Sequence, residues 1–269
     1  MTSIPSDLTS SREPIPQQPE EGSSPGVLRG QVWLSVQTWQ AQRLIRGRNG
    51  SADKPVIIGL VGFADRLRVI WQAARSDDPY ADWWLIKVHE VIERVRDLIS
   101  TEQTALDAQI KQLTALQIDV GESLKPYRIA LQFANPYAYR GAQMIAEYDT
   151  FVRTLLTAHH VGLLSGASME SLLNSCARKI RGAFSVPQGY HFLGVDRVTM
   201  IQGTAKASRA RQLMGDVPEA VLNGTHQAPF VPHKIRFPEE AARHIHLMPI
   251  DSLPSVESVA SQNDDGSSA

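Results

Sequence analysis

The segment 29–48 contains arginine side chains but neither aspartate nor glutamate. Arginine presents a planar fork of five N–H donors, which fits phosphate oxygens and guanine edges better than the point charge of a lysine does. The candidate phosphate contacts are Arg29, Arg43, Arg46 and Arg48. These residues predict a surface that contacts double-stranded DNA.

Residues 31–37 alternate between polar and apolar side chains, which is the pattern of a strand with one buried face. Val32, Leu34 and Val36 share the apolar face. The opposite face carries candidates for reading base edges in the major groove, namely Gln31, Trp33, Ser35 and Gln37. An alternative stays open, in which this is an edge strand of an ordinary α+β core whose arginines face water. The indole of Trp33 among the polar side chains favours that alternative.

Two helices are predicted after the strand. Thr38 caps a short helix over Trp39–Arg46 that ends at Gly47, and apolar residues recur at helical spacing over Leu60–Ala74. The order strand, helix, helix is typical of ribbon-helix-helix proteins, in which two chains each give one strand. A homodimer would also pair the free edge of a lone strand. Pairing with a strand expected at Tyr190–Leu193 would instead indicate a plain core edge.

Asp78 and Pro79 mark the start of a long helix, since proline at the first helical position lacks only an N–H that has no partner there. No glycine or proline follows until Gly121, so the helix is predicted over 79–119, roughly 60 Å in length. Its apolar side chains recur in steps of four and three. This spacing indicates either a coiled-coil seam formed across a dimer or a helix that breaks near Thr101 and folds back on itself. Both interpretations stay open.

Further elements are predicted in the second half of the chain. We expect an irregular segment over 126–136 and helices over Tyr139–His160, from a cap at Ser168, over Asp196–Met214 and after Pro218. The fold class that follows is mainly α with a small β element (α+β), with a ribbon-helix-helix-like N-terminal part and a long helical extension.

The two ends of the chain differ in composition from its middle. The first is rich in Ser, Pro, Gln and Glu, and the last is rich in Ser and Asp, compositions typical of disorder. We expect a disordered acidic arm over 1–26, a mostly helical core over 27–236, and a short helix followed by a disordered acidic tail over 237–269. Within the core, 27–75 is the strand-helix-helix part.

A second group of basic side chains lies in the C-terminal half of the core. It comprises Arg178, Lys179, Arg181, Arg197, Lys206, Arg209 and Arg211. These cations would extend the phosphate footprint of the first group. A helix-turn-helix over 139–181 is the rival interpretation, with Asn174 and Arg178 exposed on its second helix. The intervening segment 161–167 is longer than the usual turn, which counts against it.

Composition and motifs exclude several classes of function. The formal net charge of the 269 residues is −1, so nucleic-acid binding depends on a local patch. The single cysteine, Cys176, excludes a disulfide framework and a cysteine-based zinc site. No phosphate-binding glycine loop occurs, and the acids Glu147 and Asp149 are expected to be solvated or paired. We therefore predict no catalytic residue, no metal site, no cofactor and no enzymatic activity.

The chain begins without the charged and apolar regions of a secretory signal, and its apolar runs are too short to span a membrane. These observations predict a cytoplasmic protein that makes no membrane contact.

Several blocks of sequence carry a family resemblance. They are Leu28-Arg29-Gly30, the segments 38–48 and 59–74, Asp77-Asp78-Pro79-Tyr80-Ala81-Asp82-Trp83-Trp84-Leu85, Thr157-Ala158-His159-His160-Val161-Gly162-Leu163-Leu164, and Met214-Gly215 with Pro218. With these blocks the chain resembles integrating conjugative element proteins related to the AcaB-like transcriptional regulators, over about residues 27–232. The resemblance implies a protein of a bacterial mobile element. It also implies a family whose plasmid members activate conjugative transfer genes through a ribbon-helix-helix fold.

Residues and resemblance together predict a homodimeric, DNA-binding transcriptional regulator of conjugative transfer genes on a bacterial integrating conjugative element, an activator rather than a repressor. The alternative is a protein-interaction component of the transfer or element-maintenance machinery. Such a component would bind other transfer proteins through the helix 79–119 and would not read DNA sequence.

Overall fold

The structure, a computed structural model, describes residues 30–50, 55–113 and 115–234. The acidic arm and the acidic tail predicted at the two ends lie outside these ranges, as does Arg29. A compact unit begins at Val32. Its described elements are, in chain order, β1 (Val32–Val36), α1 (Trp39–Arg46), α2 (Leu60–Arg75), α3 (Pro79–Lys111), β2 (Tyr127–Leu131), α4 (Pro136–His160), α5 (Gly166–Ser185), a 3₁₀ turn (Val186–Gly189), α6 (Arg197–Ile201), α7 (Ala205–Met214) and α8 (Glu219–Leu222).

The fold is mainly α with a small β element, as the sequence predicts. Helix α4 lies at its centre, because it packs against α1, α2, α3, α5 and β1. The largest side chains of α4 are fully buried, among them Tyr137, Tyr148 and Phe151. The positions of β1, α1 and α5 are therefore set largely by their contacts with α4. No helix within the described ranges has both the length and the apolar character that crossing a membrane requires.

The sheet contains a strand that the sequence analysis missed. β1 pairs antiparallel with β2, with Leu34 opposite Ile129 and Val36 opposite Tyr127. The prediction of an irregular segment over 126–136 is wrong. The alternation of Tyr127, Ile129 and Leu131 is obscured in the sequence because Ala130, one of the two outward residues between them, is itself apolar.

β1 thus pairs with a strand of its own chain. The segment Tyr190–Leu193, expected as a strand, is wrongly predicted, because Tyr190 is buried and its hydroxyl donates to the Asp78 carboxylate at 2.7 Å. Internal pairing is the result expected for a core edge. The outer face of the β1–β2 ribbon nevertheless remains exposed, as described below.

Side-chain caps fix where the helices begin. Asp78 accepts from the backbone N–H of Tyr80 at 2.8 Å, with Pro79 in the first turn of α3, as predicted. Thr38 caps α1, also as predicted. The cap of α5 is Ser165 rather than Ser168, whose own N–H donates to the Ser165 hydroxyl at 3.1 Å.

Helix α3 is shorter than predicted and unbroken. It runs for 33 residues, about 50 Å, through Thr101 and ends at Lys111. The end of the predicted helix is wrong, because Leu116 is exposed and offers no apolar face to continue it. The apolar seam is buried against the same chain, mainly α4, and is formed by Val88, Ile92, Val95, Ile99 and Leu106. Ion pairs join the same two helices, with Arg96 Nη2 2.5 Å from Glu147 Oε1.

The single helix expected over 196–214 is two helices, α6 and α7. Gly203 separates them with a positive φ of 66°, a backbone conformation that favours glycine. Thr204 then caps α7, its hydroxyl accepting from the Ala207 N–H at 3.3 Å. The glycine and the following cap explain why the apolar pattern does not form one helix.

The carboxyl group of Asp78 predicts a pH dependence of stability. Burial raises its pKa from 3.8 to about 6, against the opposing effect of the hydrogen bond from Tyr190. The unfolded chain therefore releases this proton first, and stability falls as pH rises from about 4 to 6. Asp78→Asn keeps the cap oxygen and carries no charge. We expect the stability of the variant relative to wild type to rise by about 3 kcal/mol from pH 4 to pH 7 in urea unfolding.

The matched control is Asp119→Asn, which removes an exposed carboxylate and should follow the wild-type curve in parallel. Parallel curves for Asp78→Asn and wild type would contradict the prediction.

Candidate nucleic-acid interface

The outer face of the ribbon carries two of the side chains predicted to read bases. Trp33 is 51% exposed and Ser35 is exposed, whereas Leu34 and Val36 between and beyond them are buried. On β2, Arg128 lies opposite Ser35, and its guanidinium carbon is 5.4 Å from the Trp33 ring centroid. The ribbon face therefore joins an indole, a hydroxyl and a cation.

The two glutamines predicted to read bases lie at the ends of the strand. Gln31 precedes β1 and is exposed. Gln37 follows β1 and is half-buried, and its side-chain oxygen accepts from the Ser123 N–H at 2.8 Å. The Gln37 amide oxygen thus holds a loop of its own chain, which leaves the outer face of the described strand to Trp33 and Ser35.

A buried carboxylate on α4 fixes the junction between β1 and α1. Asp149 accepts from the backbone N–H of Gln37 and of Thr38, both at 2.8 Å, and from the Thr38 hydroxyl at 2.6 Å. The Thr38 oxygen accepts in turn from the Ala41 N–H, which caps α1. The expectation that Asp149 is paired rather than catalytic is consistent with these bonds. Its role as an anchor was not predicted.

Helix α1 carries two of the predicted phosphate contacts on its exposed side. Arg43 lies with its guanidinium carbon 4.5 Å from the Trp39 ring centroid. Arg46 lies 5.1 Å from the Tyr127 ring centroid, on the face of the ribbon opposite to Arg128. Both guanidinium groups are exposed and can still donate to an anion.

Arg48 is positioned by two backbone segments that cross at glycines. Its backbone exchanges two hydrogen bonds with Ile57, at 2.8 and 2.9 Å. A side chain on Gly47 would bring its Cβ 2.4 Å from the Ile57 oxygen, and one on Gly59 would bring its Cβ 2.4 Å from the Gly47 nitrogen. Only glycine permits this approach, and Arg48 Nη2 then donates to Pro55 O at 3.1 Å.

The first basic group meets the second where α1, which carries Arg43, packs against α5, which carries Arg178 and Arg181. Burial lowers the pKa of the half-buried Arg181 guanidinium from its ordinary value. Neighbouring positive charges lower that pKa further, namely those of Arg43, Arg178 and Arg48. We define these four residues, Arg43, Arg48, Arg178 and Arg181, as the arginine patch. Residues far apart in the sequence thus form one local concentration of positive charge.

Among the described residues, no carboxylate forms an ion pair with any member of the arginine patch. Arg197, expected in the second basic group, differs. Its side chain is 13% exposed and is paired with Asp77 and, at 2.6 Å, with Asp82, while Lys234 contacts the same two acids. Arg197 is therefore a structural cation, and its assignment to a phosphate footprint is not supported by its burial.

Sequence reasoning missed Arg128, because β2 was not predicted, and it separated the two halves of the arginine patch. The helix-turn-helix interpretation also named Arg178, and Asn174 and Arg178 are both exposed on α5. Its first helix, α4, is however the buried centre of the fold. Within the described ranges no three metal-ligating side chains converge.

Comparison with known proteins identifies the family. The family model described as transcriptional regulator AcaB matches residues 24–236. The chain therefore belongs to the AcaB family of transcriptional regulators, and the resemblance seen in the sequence is confirmed. A solved structure, that of selenomethionine-containing AcaB from uropathogenic E. coli, is similar with 12% identity and a TM-score of 0.49, covering 72% of this chain and 95% of that one. No curated protein matches this chain.

The Asp149 anchor generates a prediction on stability. Asp149→Ala leaves the buried N–H of Thr38 and the half-buried N–H of Gln37 without an acceptor, at a cost of about 2–4 kcal/mol. Urea unfolding should show this loss. Thr150→Ala on the exposed side of the same helix is the control and should change stability by less than about 0.5 kcal/mol. Equal losses in the two variants would contradict the anchor.

Proposed function

We propose that the protein is a DNA-binding transcriptional regulator, an activator of conjugative transfer genes on a bacterial integrating conjugative element, which acts in the cytoplasm and not as an enzyme. Membership of the AcaB family supports the regulatory role. The observation that supports DNA binding is the arginine patch.

The arginine patch has the chemistry of a phosphate site. Burial is the main cause of the lowered pKa of Arg181, and the positive charges of Arg43, Arg178 and Arg48 lower it further because like charges repel one another. Among the described carboxylates none relieves this repulsion by an ion pair. DNA phosphates would relieve it, and each contact would release condensed counterions, so binding is favoured at low salt. A local patch is also what a chain with a formal net charge of −1 requires.

The outer face of the ribbon is the proposed reader of sequence. In ribbon-helix-helix proteins, two chains supply one strand each. In this chain β1 and β2 already form a two-stranded ribbon. We propose that Trp33, Ser35 and Arg128 contact base edges from this ribbon, since a two-stranded ribbon fits the major groove. A homodimer would place two such ribbons on successive half-sites.

Docking through α3 is less well supported than DNA binding. The apolar seam of that helix is buried within the chain against α4 and is not available to a partner protein. A partner protein would have to use the polar side of the helix instead.

The DNA proposal predicts a change in salt dependence. Arg43→Ala and Arg178→Ala should each weaken binding to DNA from the element and reduce the slope of log affinity against log salt by about 0.9, the value of one lost phosphate contact. Fluorescence anisotropy at several salt concentrations measures this slope for the full chain.

Arg94→Ala removes an exposed arginine of α3 and serves as the matched control, with an unchanged slope expected. Absence of wild-type binding to the element's DNA at moderate salt would refute the proposed function. Equal slope changes in all three variants would refute the assignment to the arginine patch.

A further inference from the structure

An indole lies exposed next to the arginine patch. Trp39 is 63% exposed, whereas Trp84 in the core is 6% exposed. Trp39 is the first residue of α1, and the guanidinium of Arg43 lies one helical turn away over its ring, 4.5 Å from the centroid. Arg43 in turn acts electrostatically on Arg181. The indole is therefore continuous with the arginine patch through a shared cation.

The backbone that carries this indole is anchored to the central helix. Thr38, the preceding residue, is held by its backbone N–H and its hydroxyl on the buried Asp149 carboxylate. The guanidinium of Arg43 lies over the ring, and the side chain of Trp39 nevertheless remains 63% exposed. A tryptophan side chain has only two rotatable torsions, so it loses little conformational entropy when a flat partner stacks on it.

The kind of partner follows from the geometry of DNA. In a fully paired duplex each base face is covered by its neighbours, so an indole beside the phosphates reaches only sugars and edges. An unpaired nucleotide exposes its base face, and stacking of a base on an aromatic side chain is favourable for every base. The phosphates that flank such a nucleotide would lie within reach of arginines on the same helix.

We propose that Trp39 stacks on an unpaired base of DNA whose flanking phosphates bind the arginine patch. The preferred ligand is then a duplex with a short unpaired segment rather than a fully paired duplex. This inference rests on the proposed function, because both place DNA on the arginine patch. It adds a binding residue that phosphate recognition alone does not need.

The test compares two probes of the same sequence from the element, one fully paired and one with two unpaired nucleotides in its centre. Full-length wild type should bind the second about tenfold more tightly, in keeping with one stacked base. Trp39→Ala should abolish this difference and leave affinity for the paired duplex within about twofold. Trp39→Phe, which keeps a ring, should retain most of the difference, and wild-type indole fluorescence should be quenched by the unpaired probe.

Phe192→Ala is the matched control, since Phe192 is an aromatic residue as exposed as Trp39, at 62%, but lies between the 3₁₀ turn and α6, outside the arginine patch and the ribbon. It should keep the preference for the unpaired probe. Equal wild-type affinity for the two probes, or an equal loss on both probes in Trp39→Ala, would overturn the inference while leaving duplex binding intact. Failure of wild type to bind either probe would instead refute the proposed function. Unchanged unfolding midpoints verify that each variant is folded.

Discussion

The carboxylate of Asp149 is the constraint on which the placement of the candidate interface depends. It lies 5% exposed on the central helix α4 and accepts three hydrogen bonds from the junction between β1 and α1. Two of the donors are backbone N–H groups that no regular element satisfies, so without the carboxylate they would be buried at a cost. Through this single residue of α4, the bonds fix both the end of β1 and the start of α1 relative to α4.

The arginine patch follows from that constraint. Once α1 is fixed on α4, its last turn brings Arg43 towards α5, which also packs on α4. The glycines at 47 and 59 then allow two backbone segments to cross in contact. Arg48, the residue after Gly47, is held at this crossing by its backbone hydrogen bonds to Ile57. Positive charge is thus concentrated by the packing of segments that lie more than a hundred residues apart. Arg197, a further arginine of the second basic group, is buried between acids, which keeps it out of the patch.

Local signals in the sequence predicted much of the fold. The caps at Thr38 and Asp78, the strand β1 and the apolar spacing of α2, α3 and α4 agree with the structure, because each depends on neighbours in the chain. Val32, expected on the buried face of β1, is however 46% exposed. The missed strand β2 is short and only partly buried. Its strand conformation therefore depends on the hydrogen bonds to β1 rather than on its own apolar pattern. For the site, arginines were identified by type, but their convergence depends on tertiary packing, and the role of Asp149 is set by donors more than a hundred residues away. Neither leaves a periodic signal in one sequence.

If the arginine patch binds DNA, the contact occurs where α1 and α5 meet. Hydrogen–deuterium exchange of the full chain, with and without DNA from its element, tests it most directly. We expect slower exchange in peptides covering 39–48 and 174–185 when DNA is bound, with α7 unchanged. Protection confined to α6 and α7, with α1 and α5 unaffected, would contradict it.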